Sequence, residues 1–173
     1  MAGNDERPDR VCFDTNAWSA IFNRETDKDL ESLAEWLHRA EAKKCRIILP
    51  TVTIGEIHAS SNRRAVAEFD SIIQGDAFEV VDFTQTLAVR TGALRRASIE
   101  ANAADQSVKK LKMPDAMIIV SADAAGCDYL LSHDQGVQGL NGRLDIRTKI
   151  GPYRTGLPDD DRPLFDLVDG ESG

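Results

Sequence analysis

The sequence predicts an α/β fold: a central, mainly parallel sheet of four or five strands with helices packed on both faces. Three observations carry this. Short apolar runs alternate along the chain with longer segments whose apolar residues recur at helical spacing. Strand followed by helix, repeated, is the order that builds parallel sheets through right-handed crossovers. The scale also fits: 173 residues, 42% hydrophobic and 29% charged, suit one globular domain with a substantial core.

The first run, Arg10 to Thr15 (RVCFDT), reads as a short buried strand. A helical stretch starts at Asn16 and continues through Trp18, Ile21 and Phe22. Thr26 and Asp27 offer caps for a longer helix. In that helix Leu30, Leu33, Ala34, Leu37 and Ala40 repeat at helical spacing, and Glu31, Glu35 and Arg39 fall outside the stripe. Arg46 to Pro50 is a second strand, stopped by proline. Thr51 to Ser60 is a helix with Thr51 or Thr53 as its cap, and a further helix covers Asn62 to Gln74.

Phe78 to Phe83 is a third strand, and Thr84 caps a long helix with Leu87, Thr91, Leu94 and Ser98 on one face. The stretch from Ala101 to Met113 is polar and basic, without clear helix ends. Pro114 sits where proline is favoured, in the first turn of a helix reaching Ala125. That helix is apolar nearly all round and is therefore expected to be central. Asp128 to Ser132 is a fourth strand, and Leu144 to Arg147 is a candidate fifth.

The expected organisation is an N-terminal lead over 1–9, a domain over 10–150, and an acidic, flexible tail over 151–173. Met1 to Arg10 lacks the apolar stretch of a signal peptide, and no apolar run approaches the roughly 20 residues of a membrane helix. The expectation is a cytoplasmic protein. Cys12, Cys45 and Cys127 are widely spaced and form no CxxC or Cys/His pattern, so reduced thiols are expected rather than zinc, with Cys12 as a small core residue.

The net charge of −8 argues against broad, tight binding to duplex nucleic acid. The charge is unevenly spread. Arg90, Arg95, Arg96, Lys109, Lys110 and Lys112 make one segment basic, while Asp159, Asp160, Asp161, Asp166, Asp169 and Glu171 crowd the C-terminus. Arg95, Arg96, Lys109, Lys110 and Lys112 are the candidate phosphate contacts. Aromatic residues make up only 6% of the chain, too few to support a base-stacking platform.

Four acids carry the chemistry. Open parallel sheets place ligands at the carboxyl ends of their strands. Asp14 ends the first strand and Asp134 follows the fourth. Glu56 lies in the helix after the second strand, and Asp115 in the first turn of the helix before the fourth. Right-handed crossovers would bring all four to one sheet edge. Singly, each has an ordinary explanation as a helix cap, a dipole partner, an exposed helical acid or a turn residue. Together, gathered carboxylates repel one another, and a divalent cation relieves the conflict. Oxygen-only ligands suit Mg²⁺ or Mn²⁺, and a metal held so can drive phosphodiester hydrolysis.

The ordered set Val11 to Asn16 (VCFDTN), Thr53 to Glu56 (TIGE), Pro114 to Ala116 (PDA) and Leu130 to Asp134 (LLSHD) resembles the PIN-domain pattern, in style that of VapC-type ribonuclease toxins. The resemblance covers about residues 10–148. It implies a three-layer α/β/α fold and a Mg²⁺- or Mn²⁺-dependent endoribonuclease with Asp14, Glu56, Asp115 and Asp134 as catalytic and metal-binding acids. It further implies supporting roles for Asn16 and Ser132, an antitoxin partner of small size, and a homodimer. Ser132 stands where threonine is commoner, and Val137 where the family often has an aromatic residue.

Among other residues, His58 is expected to point away from Glu56, because positions two apart on a helix do not share a face. His133 is expected in a solvated turn, Asp123 at the surface, and Trp18 and Trp36 in the core stripes. Two further readings belong to other classes: a PIN nuclease of RNA processing that is not a toxin, and a binding module that kept the fold without catalysis. A haloacid-dehalogenase-like phosphatase would want a second aspartate where this chain has Asn16.

Overall fold

The computed structural model describes residues 9–23 and 27–158. Five strands form one sheet: β1 (Asp9–Phe13), β2 (Cys45–Pro50), β3 (Phe78–Val81), β4 (Tyr129–Leu131) and β5 (Lys149–Gly151). Every pairing is parallel, and the order across the sheet is β3-β2-β1-β4-β5. The chain steps outward from β1 to β2 and β3, then returns to β1 and steps the other way. The direction of winding therefore reverses at β1 and β4, the place where such sheets open a crevice at their carboxyl ends.

Seven helices are described: α1 (Thr15–Asn23), α2 (Asp27–Glu41), α3 (Thr51–His58), α4 (Arg63–Ile72), α5 (Gln85–Ala104), α6 (Met113–Ala124) and α7 (Gln135–Gln138). The alternation of strand side chains divides the core in two. Cys12, Ile48 and Leu130 face one way and pack with Leu87 and Leu94 of α5 and Ile118 and Ile119 of α6. Val11, Phe13, Ile47, Leu49 and Leu131 face the other way, against Trp18, Leu33, Trp36 and Phe69. Helices thus cover both faces, as the sequence predicts. Trp18 anchors the second core, its ring 5.4 Å from Phe13 and edge-on to Phe69 at 5.0 Å.

Several local expectations change. α3 takes no side-chain cap from either threonine, because it starts directly on Pro50 at the end of β2. Thr51 instead accepts a hydrogen bond from the backbone N–H of Phe83, and Thr53 is buried. α4 is shorter than expected and is capped by Asn62, which accepts from the N–H of Ala65. On α2 the buried stripe runs through Ser32, Leu33, Trp36 and Ala40, leaving Ala34 exposed. Thr84 caps α5 as expected, accepting from the N–H of Leu87.

The fifth strand is Lys149–Gly151, not the apolar-looking Leu144 to Arg147. The reason is Asp123. It is only 3% exposed, and its carboxylate accepts from the backbone N–H groups of Arg147 and Thr148. Those donors are no longer free for a ladder, so pairing begins one residue later. Arg90 completes the set at 2.7 Å. Asp123 is therefore a buried structural acid rather than a surface residue.

The boundary expected at residue 150 falls inside β5. Beyond it Tyr153 is buried, its carbonyl accepting from the Trp36 indole N–H at 3.0 Å. At Gly156 the backbone has φ +86° and runs against the Tyr129 ring, leaving no room for a side chain. The expected flexible tail lies, from residue 159 onward, outside the described residues.

All three cysteines are free and buried. Burial pushes the Cys45 thiol up to about 11 and the Cys127 thiol up to about 12, so both stay protonated at neutral pH.

Candidate active site

The carboxyl ends of β1 and β4 lie side by side, since Phe13 pairs with Leu131. Asp14 and Ser132 are the next residues on each strand, and the N–H of Asp14 reaches the carbonyl of Leu131 at 3.1 Å. Asp14 accepts hydrogen bonds on one carboxylate oxygen from the N–H groups of Asn16 and Ala17. The Ser132 side chain favours the charged form of the Asp14 carboxylate, and its hydroxyl oxygen accepts from the N–H of Asp134 at 3.1 Å. Ser132 thus acts on two of the acids. Asn16 contributes its backbone N–H, while the residue itself is exposed.

Asp134 divides its oxygens. Oδ1 caps α7 by accepting from the N–H of Val137 at 3.1 Å. Oδ2 meets the Lys109 ammonium. The same ammonium stands 3.3 Å from Oδ2 of Asp115, in the first turn of α6. That oxygen is shielded from solvent and makes no aligned hydrogen bond, so the contact is an ion pair only. Glu56 reaches the edge of the group from α3, where the hydroxyl of Thr15 donates to its carboxylate.

The electrostatics follow from this packing. Burial pushes the Asp14 carboxyl above its usual range. Bonds from Ser132, Asn16 and Ala17 oppose that rise, and the charge of nearby Asp115 adds to it. At Asp134 burial also pushes upward, but Lys109 and the Val137 N–H outweigh it and hold the carboxyl below its usual range. Burial pulls the Lys109 ammonium down, and Asp134 and Asp115 more than reverse this.

The structure therefore brings Asp14, Asp115 and Asp134 together, with Glu56 joined through Thr15. Among the described residues, no three His, Cys, Asp or Glu side chains stand close enough to cage an ion as they are placed. Two of the acids are drawn onto an ammonium instead. The donor set nevertheless fits a hard divalent cation: every side chain offered is a carboxylate, and one positive charge already sits between two of them. Of the basic candidates, Lys109 lies inside the group. Arg95 and Arg96 on α5, and Lys110 and Lys112 in the connection to α6, are exposed. His58 turns away from the acids and pairs with Asp70 at 2.9 Å. His133 is exposed but packs its ring on Tyr153 at 3.9 Å, so its turn is partly covered.

Sequence reasoning gave Thr15 no part in the site. Its signal was available, since a hydroxyl beside Asp14 at the start of a helix can reach only groups near that acid. The contact of Lys109 with the acids had no local signal, because it depends on how a loop is packed.

An acidic group at the winding reversal of an open, all-parallel sheet defines an α/β protein with an oxygen-donor site. The chain belongs to the PIN domain family, whose model matches residues 11–141. Its structure is similar to the VapBC2 complex of Rickettsia felis bound to promoter DNA, with a TM-score of 0.60, 14% identity, 83% of this chain covered and 98% of that one. It is also similar to DNA-bound VapBC of Salmonella typhimurium, with a TM-score of 0.55, 20% identity and coverage of 84% and 98%. VapC20 of Mycobacterium tuberculosis, a toxin cleaving the sarcin–ricin loop, matches with a TM-score of 0.52, 15% identity and coverage of 75% and 93%. No curated protein sequence matches the chain. No described helix is long and apolar enough to cross a membrane.

Proposed function

We propose that this protein is a Mg²⁺- or Mn²⁺-dependent endoribonuclease that hydrolyses RNA phosphodiester bonds, and that it is the toxin of a type II toxin–antitoxin pair. One observation carries the reading: Asp115 and Asp134 meet the ammonium of Lys109 beside the carboxyl ends of β1 and β4, and Asp14, at the end of β1, feels the charge of Asp115. Membership of the PIN family supports nuclease chemistry. The likeness to VapBC complexes supports the toxin role and an antitoxin partner, and the resemblance in sequence implies that the partner is small and that the protein is a homodimer.

Asp14, Glu56, Asp115 and Asp134 would hold the ion. Bound there, it would supply phosphate binding, water activation and stabilisation of the leaving oxygen. The chain's own residues do the positioning. Ser132 favours the charged form of Asp14, and its hydroxyl oxygen holds the start of the turn that carries Asp134. Capping bonds hold one oxygen each of Asp14 and Asp134 on backbone N–H groups, which orients the other. Arg95, Arg96, Lys110 and Lys112 offer exposed positive charge to the RNA backbone.

The test is RNA cleavage by metal-stripped protein with Mg²⁺ or Mn²⁺ added back. Asp14→Asn and Asp115→Asn should each lower the rate by at least about a hundredfold. Variants that cut as fast as wild type would sink the assignment. Expression without a partner should arrest growth. Normal growth alongside clear cleavage would leave a nuclease that is not a toxin.

A further inference from the structure

Lys109 is built into the acidic pocket. Its ammonium contacts Asp134 and stands 3.3 Å from Asp115. Its aliphatic stem lies on Gly136: a Cβ at that position would come 2.5 Å from the lysine Cδ and 3.0 Å from its Cβ. The same Cβ would stand 3.1 Å from Oδ1 of Asp134, so lysine stem and acid close over this glycine together. The backbone on either side is anchored as well. Val108 and Leu111 are buried in the core, Asn102 donates to the Val108 carbonyl at 2.6 Å, and the N–H of Leu111 donates to the Ser98 hydroxyl at 3.2 Å. Stem and backbone are thus both held where the ammonium reaches the two acids.

We propose that Lys109 is an internal counter-ion that competes with the divalent cation for this pocket. The inference rests on the reading of these acids as metal ligands. A magnesium-sized ion binds carboxylate oxygens at about 2.0–2.1 Å, which leaves no room for an ammonium seated on the same oxygens. Binding the ion therefore requires Lys109 to leave its seat over Gly136. Because the lysine is tethered, its effective concentration at the pocket is high, on the order of millimolar or above. The ion's apparent affinity is lowered by the fraction of molecules in which the lysine is in place. The device keeps the acids paired when no ion is bound and sets the ion concentration at which the site switches on.

The experiment is calorimetric titration of Mn²⁺ into the metal-stripped full-length protein, with circular dichroism to verify folding. Lys109→Met should bind Mn²⁺ more tightly, by about tenfold if the lysine is seated in nine molecules of ten. Lys110→Met removes a neighbouring exposed charge and leaves the seat intact, and should leave Mn²⁺ binding unchanged. Binding by Lys109→Met that is unchanged or weaker overturns the proposal. Equal tightening in Lys109→Met and Lys110→Met also overturns it, because loss of any nearby positive charge would then be the cause. If wild type binds Mn²⁺ in an Asp115-dependent way and neither variant binds more tightly, the nuclease reading stands and this proposal alone falls. If none of the three proteins binds Mn²⁺, both fall together.

Discussion

Asp123 and Asp134 show how differently one residue type is used here. Asp134 gives one oxygen to a helix cap and the other to a cation. Its ordinary role as a cap and its role in the pocket are the same placement seen from two sides. Asp123 spends its whole carboxylate on structure, on Arg90 and on the N–H groups of Arg147 and Thr148. Burial pushes its carboxyl up, but those bonds outweigh burial and hold it below the usual range. A depressed carboxyl stabilises the fold above its unfolded pKa, near 4, and that contribution fades as pH falls through the lower folded value. Asp123→Ala should cost about 3 kcal/mol at pH 7, mostly from two orphaned backbone donors, as read by urea denaturation. The gap between wild type and variant should narrow below about pH 4. A gap that widened in acid would contradict the assignment.

Among the elements, the connection between α5 and α6 has the most functional weight. Its composition reads only as polar and basic. Its buried residues, Val108 and Leu111, are two apolar positions too few to show a period. The connection is shaped by Asp105, which accepts from the N–H and hydroxyl of Ser107 and pairs with Arg143 at 2.9 Å. Asn102 then holds the Val108 carbonyl, and the loop delivers Lys109 to the acids. Asn102→Ala should remove about 1 kcal/mol and speed amide hydrogen exchange over residues 106–111, leaving the centre of α5 protected. Unchanged exchange there would mean that the two apolar anchors hold the loop alone.

On the scale of the whole molecule, the sheet order fixes where chemistry can occur. β1 and β4 are neighbours although more than a hundred residues separate them in the chain, and their ends carry Asp14 and Ser132. The domain is closed by a segment that looked from its composition like the start of a tail. Tyr153 packs into the core beside the indole of Trp36. Tyr153→Ala should lower stability by about 3–5 kcal/mol, a loss visible as a lower urea midpoint. A change below about 1 kcal/mol would place this segment outside the cooperative unit.

By itself the sequence determined the alternation of strand and helix, the parallel sheet and the cap at Thr84, and it offered the four acids as a candidate set. These depend on local periodicity and on topological rules that any chain of this order obeys. Tertiary structure alone decided that Asp123 is buried, that β5 starts at Lys149, that Tyr153 closes the core, and that Lys109 stands among the acids. Each of these is a contact between residues distant in sequence, whose energy exists only once the backbone has folded. The sequence thus shows a parallel α/β domain with an acidic set, and the fold adds a lysine seated within it.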